Sequence, residues 1–77
     1  MYVEIMTPDV EIFKGDAELV QLPGIDGSFE LLNNHAPLIS ALAKGKVKIR
    51  TGGKERFFDI AGGVIEVHDN KVLILAE

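Results

Sequence analysis

The sequence contains no cysteine. That removes a disulfide framework, a thiol nucleophile, a thiolate zinc site and an iron–sulfur cluster, and it fits a reducing compartment. Basic residues are few: eight Lys and Arg stand against twelve Asp and Glu, a net charge of -4. The basic surface that a phosphate backbone requires is therefore missing, so nucleic acid is not an expected partner and a basic protein surface suits the chain better. No run approaches the about 18 apolar residues of a membrane-spanning helix, and Met1-Tyr2-Val3-Glu4 lacks the basic start of a signal peptide, so direct membrane insertion is not expected. Helix is scarce too. Leu38-Ile39-Ser40-Ala41-Leu42-Ala43 is the one breaker-free stretch that mixes Leu and Ala, and it has about half the usual minimum of a stable helix, so a strand or a single turn fits there.

What is present is a globular composition, with 47% apolar and 26% charged residues in 77, enough for one domain, 1–77, and too little for two. Apolar positions recur with period two in Tyr2-Val3-Glu4-Ile5, Val47-Lys48-Ile49-Arg50 and Ile65-Glu66-Val67-His68, the pattern of half-buried strands. Turn signals at Thr7-Pro8-Asp9, Gly15-Asp16, Pro23-Gly24, Asp26-Gly27, Lys44-Gly45, Gly52-Gly53, Gly62-Gly63 and Asp69-Asn70 leave about 5 to 10 residues per strand, the spacing of an all-β sandwich or barrel. Two hairpins are well specified: Gly52-Gly53 joins the Val47 strand to Glu55–Ile60, and Asp69-Asn70 joins Val64–His68 to Lys71–Leu75. Val72-Leu73-Ile74-Leu75, Phe57-Phe58 and Leu31-Leu32 are apolar on both faces, whereas a two-layer sandwich needs one apolar face per strand. Their second face calls for a cover, either a loop of the chain or a partner.

Catalytic chemistry finds little to work with. His35 and His68 have no cysteine and no second histidine at metal-ligand spacing. His35 sits between Asn33-Asn34 and Ala36-Pro37, where a histidine usually bonds backbone, and His68 reads as a strand-end surface residue. Ser28 and Ser40 carry no Gly-x-Ser-x-Gly elbow. Gly24-Ile25-Asp26-Gly27 has the Gly-x-x-Gly form of an RNA clamp, but Asp26 would repel phosphate and no basic residue is near, so it reads as a turn. Asp26 and Glu30 are more simply solvated loop carboxylates than an acid–base pair.

One segment is more specific than pattern. Leu22-Pro23-Gly24-Ile25-Asp26-Gly27-Ser28-Phe29-Glu30-Leu31-Leu32-Asn33-Asn34-His35-Ala36-Pro37-Leu38 resembles the signature of the F-type ATP synthase epsilon subunit, in its N-terminal β-sandwich domain, with Asn34 to Leu38 as its most specific piece. The likeness continues through Ile5 to Phe13 with Gly15, Leu42 to Ile49, Ala61 to Val67 and Val72 to Ala76, so it covers essentially the whole chain. Glu30 stands where the family often has glycine, and Asn33 and Lys44 where it often has proline, which alters loop detail. Longer members continue beyond the position of Glu77 into a two-helix C-terminal domain, so the resemblance is to a short form, natural or truncated.

The resemblance implies a two-layer β-sandwich of about ten short strands. It also implies a non-catalytic central-stalk subunit of a proton-translocating ATP synthase that joins the gamma subunit to the c-ring and helps couple proton flow to ATP synthesis. No cofactor or metal is implied. The location implied is peripheral, on the cytoplasmic side of the bacterial inner (plasma) membrane. By the same analogy Asp26, Gly27, Ser28, Phe29 and Glu30 face the c-ring, the two carboxylates complementing its basic loops, while Thr7, His35 and Ser40 face gamma. The alternatives are a lipoyl or biotinyl carrier domain, for which Lys71 beside Asp69-Asn70 is the one candidate lysine and lacks the usual flanking pattern, and a free-standing β-sandwich adaptor.

With neither a phosphate-cradling loop nor paired metal ligands in the sequence, the isolated domain is expected to bind neither ATP nor a divalent cation. Calorimetric titration with Mg-ATP checks this; saturable binding at micromolar ligand would contradict it.

Overall fold

A computed structural model describes residues 1–77, and its regular elements are all strands: β1 (Tyr2–Met6), β2 (Glu11–Asp16), β3 (Leu19–Gly24), β4 (Gly27–Leu32), β5 (Leu38–Leu42), β6 (Gly45–Thr51), β7 (Lys54–Ile60), β8 (Gly63–His68) and β9 (Lys71–Ala76). There are nine rather than about ten. The Leu38–Ala43 stretch forms strand β5. Both expected hairpins are present, and their turn residues have positive φ at both positions, 59° and 77° at Gly52 and Gly53 and 51° and 58° at Asp69 and Asn70, the left-handed geometry whose twist matches the strands. Five of the turn signals fall wholly or partly in strands instead: Gly15-Asp16 closes β2, Pro23-Gly24 closes β3, and Gly27, Gly45 and Gly63 open β4, β6 and β8. Ladder pairing outweighs local preference there, and the chain turns one or two residues away.

The strands pair in the order β2-β1-β9-β8-β5-β3-β6-β7, with β4 on the free side of β3. This single sheet curls over so that β2-β1-β9-β8-β5 and β4-β3-β6-β7 make the two layers of a sandwich. The crossing is at Ala43-Lys44. Ala43 N–H donates to Pro23 O at 2.7 Å, Leu42 pairs with Gly24 and Lys48 with Gln21, so β5 and β6 follow one side of β3 nearly end to end. A Cβ on Gly45 would lie 2.7 Å from Pro23 Cβ, a clash that only glycine avoids as the chain bends from one layer into the other.

Alternation decides what goes inside. Val3 and Ile5 of β1, Ile65 and Val67 of β8 and Val72 and Ile74 of β9 meet Val20 and Leu22 of β3, Leu31 of β4 and Val47 and Ile49 of β6 in one aliphatic cluster. No polar or charged residue is buried with them. At the far ends of the strand order, Phe13 of β2 and Phe58 of β7 meet with centroids 5.5 Å apart and ring planes tilted by 56°, and the Arg56 guanidinium lies over both rings at 5.4 and 5.1 Å. Thr51 Oγ1 donates to Asp16 O at 2.8 Å, and Gly52 N–H to Glu18 Oε1 at 2.6 Å. These contacts close the seam that the ladder leaves open.

The outer side of β4-β3-β6-β7 is a ladder of charges: Lys46 Nζ is 2.8 Å from Asp59, and Arg50 Nη2 and Lys48 Nζ are 2.9 and 3.7 Å from Glu55. The hydrogen bond from Arg50, then the charge of Lys48, hold the Glu55 pKa below its ordinary value. A lowered folded-state pKa gives stabilisation that is complete above the unfolded pKa and is lost as pH falls through the folded one. Stability measured by urea unfolding is therefore expected to fall as pH drops through and below the usual carboxylate range, and to fall less in Glu55→Gln. An identical decline in both proteins would assign the acid sensitivity elsewhere.

Candidate functional site

The outer side of the other layer is different. Met6 of β1 lies opposite Leu75 of β9, Leu75 opposite Val64 of β8, and Val64 opposite Ala41 of β5. The alternation that sends Ile5, Ile74 and Ile65 into the core sends this row outward, and four neighbouring strands thus present an apolar line across their direction. Turn tips prolong it. At one end, Thr7 N–H donates to Val10 O at 2.8 Å and Thr7 Oγ1 accepts from Val10 N–H at 3.0 Å, a turn that leaves Val10 59% exposed. At the other, Ile25 N–H donates to Ala41 O at 3.3 Å and the Ile25 side chain is 61% exposed. With Ile39, five of the chain's seven exposed large apolar side chains lie on or beside this strip; only Leu32 and Phe57 belong to the other layer. No segment of the chain covers it, so the loop cover considered from sequence is not what forms.

Charge borders the strip on one side. In the next row Glu4 and Glu66 flank Leu73, and beyond it Tyr2, Lys71 and His68 form a third row. Lys14, opposite Glu4, has its pKa raised by Tyr2 first, then by Glu11 and Glu4. His68 is exposed, with Nε2 3.7 Å from Glu66 and Nδ1 3.2 Å from Asp69. Lys71 starts β9 on this face, after the tip formed by Asp69 and Asn70, rather than at the tip itself as a carrier lysine would be. No three His, Cys, Asp or Glu side chains converge as metal ligands. An exposed apolar strip with a charged border is the kind of surface that marks a contact site.

The residues singled out from sequence separate in space. Asp26 shares the β3–β4 tip with Ile25, at one end of the strip. Gly27, Ser28, Phe29 and Glu30 belong to β4, where Phe29 packs against the core while Glu30 turns to the charged layer and lies 3.5 Å from Gln21 Nε2. The five residues are thus a tip and a strand rather than one loop surface. Thr7 holds the turn at the strip's other end. Ser40 sits opposite Ile65 on the inner side of β5, half-buried beside Ala41. His35 lies at the opposite end of the sheet, where its N–H donates to Leu32 O at 3.3 Å and its Nδ1 donates to Ala36 O at 2.7 Å. Asn34, at φ 64°, donates its N–H to Asn70 Oδ1 at 2.7 Å and fixes that loop to the β8–β9 hairpin. Met6, Ala41 and Val64 were not singled out from sequence. The doubly apolar Val72–Leu75 run was the one signal, and it marks Leu75 without its neighbours because register alone brings them alongside.

Comparison with known proteins matches residues 1–77 to the family described as ATP synthase, Delta/Epsilon chain, beta-sandwich domain. The ATP synthase epsilon chain of Caulobacter vibrioides is 39% identical over 77 residues, covering 100% of this chain and 90% of that one. The epsilon chains of Nitratidesulfovibrio vulgaris (strain Miyazaki F) and Maridesulfovibrio salexigens, 42% and 39% identical, are longer, and this chain spans 58% and 54% of their length. Among solved structures, a chain of the Euglena gracilis mitochondrial ATP synthase (OSCP/F1/c-ring) superposes with TM-score 0.89 at 25% identity, covering 96% of this chain and 48% of that one. A chain of the Tetrahymena thermophila mitochondrial ATP synthase central stalk and c-ring does so with TM-score 0.84 at 25% identity, covering 99% and 62%.

Since Val64 and Leu75 point away from the core, the double variant Val64→Ser/Leu75→Ser is expected to keep its stability within about 1 kcal/mol. Its binding of an apolar fluorescent dye should fall. A large loss of stability on urea unfolding would show that these side chains serve the fold.

Proposed function

The chain belongs to the ATP synthase delta/epsilon family through its β-sandwich domain, and from that premise we propose that it is a non-catalytic central-stalk subunit of a rotary, proton-translocating ATP synthase, joining the gamma subunit to the c-ring. It helps couple proton flow to ATP synthesis and resides at the bacterial inner (plasma) membrane, peripheral and on the cytoplasmic side. The observation that carries this reading is the uncovered apolar strip from Val10 to Ile25, which ends at a tip bearing Asp26. A domain of this size with one apolar face and one charged face suits a joint between two partners, since torque passes only through closely packed surfaces. Gamma lies on the strip, which Thr7 closes at one end, while Ser40, on the inner side of β5 beside Ala41, and His35, at the opposite end of the sheet, stand off it. The c-ring meets the Asp26 tip, with Glu30 farther along β4 as a secondary contact.

The two contacts differ in physics. Apolar burial is insensitive to salt, whereas charge contacts are screened beyond about 8 Å at physiological ionic strength. Added salt should accordingly weaken c-ring docking more than gamma binding. The double variant Asp26→Lys/Glu30→Lys is expected to fold, to co-purify with gamma and to impair proton-driven ATP synthesis in reconstituted vesicles, with Asp26→Lys alone giving most of the effect. Full coupling in the double variant would remove this segment from the c-ring contact, and failure of the wild-type chain to co-purify with gamma would overturn the reading as a whole.

A further inference from the structure

We infer that the strip is occupied by an amphipathic α-helix of the partner, apolar along one stripe and basic along one flank, laid across the strands. The inference rests on the reading that gamma covers the strip, and it specifies what part of gamma does so. Direction is the first argument. Met6, Leu75, Val64 and Ala41 come from four adjacent strands, so the row runs across the strand direction with steps of about 4.8 Å. An extended segment that joined the sheet would run alongside an edge strand and meet this row at one point. A helix presents side chains three and four apart at about 5–6 Å, close to the step of the row, and can follow it over its whole length.

Length and charge narrow the occupant. From Met6 to Ala41 is three steps, and the tips carrying Val10 and Ile25 add roughly one at each end, about 24 Å in all. At 1.5 Å per residue that is a helix of about 16 residues, with four or five apolar positions in its stripe. Glu4 and Glu66 both stand on the same side of the row, flanking Leu73. Within the strands Glu4 has Lys14 opposite it and Glu66 has only His68, at 3.7 Å. The bound helix therefore carries Lys or Arg on the flank that faces Leu73.

Peptides of about 20 residues tiling the gamma subunit encoded with this chain test the inference, with binding to the full chain read by fluorescence anisotropy and peptide conformation by circular dichroism. The expected result is that the binding peptides are helical when bound and bear a basic flank. Val64→Asp and Leu75→Ser should each weaken them by about tenfold or more, and Glu66→Lys should weaken them more at low salt than at high salt. Urea unfolding of each variant confirms that it is folded. Binding peptides that stay extended, binding unchanged in both folded apolar variants, or no binding peptide from a gamma that itself binds would each overturn the helix. Failure of intact gamma to bind the wild-type chain would instead overturn the central-stalk reading.

Discussion

Two layers of strands can close on each other only if each strand commits one face to the interior, and in this chain that interior is purely aliphatic. Ile5, Leu22, Leu31, Ile49, Ile65 and Ile74 are almost wholly removed from solvent. Burying such side chains is worth about 1.5–3 kcal/mol each, whereas exposed ion pairs like Lys46–Asp59 contribute about 0–1 kcal/mol. The core therefore holds the fold, and the charge ladder trims one of its outer faces. Because the core takes every second residue of β1, β8 and β9, it also dictates which side chains must stand outside. The apolar strip is a consequence of that constraint as much as a feature beside it.

The two outer faces divide the remaining work. On β6 and β7, Lys and Arg alternate with core residues and find Glu55 and Asp59 across the ladder, a surface at ease in water. On β1, β9, β8 and β5 the corresponding positions are Met6, Leu75, Val64 and Ala41, which water does not solvate favourably. On the proposed central-stalk reading the domain has to be stiff and has to hold its neighbours at fixed angles. The seam closed by Phe13, Phe58 and Arg56 and the continuous ladder from β2 to β7 supply stiffness, and the difference between the faces orients the domain.

Much of the fold was legible because hairpin chemistry is local. Gly52-Gly53 and Asp69-Asn70 tolerate positive φ and sit between period-two runs, so both hairpins could be placed to within a residue. The β5–β6 corner was less legible: Lys44-Gly45 reads as an ordinary turn, while the need for glycine at 45 comes from Pro23, 22 positions earlier in the chain. Gly15-Asp16 and Pro23-Gly24 read as turns and lie in strands, because pairing with β1 and β4 outweighs what those residues prefer alone. For the site, a contiguous segment such as Asp26 to Glu30 looks like one surface in sequence, and strand alternation splits it between a tip, the core and the charged layer.

By itself the sequence determined the all-β class, the two hairpins, the absence of cysteine chemistry and the resemblance to epsilon subunits, since each depends on composition, on period or on residues close together in the chain. Only the tertiary structure decided that there are nine strands on one curled path, that β2 and β7 meet at an aromatic seam, and that Met6, Ala41, Val64 and Leu75 form one line. The reason is register: the sequence states which residues face outward on each strand, but side chains 11 to 69 positions apart become neighbours only when pairing between strands sets how far each has slid along the next.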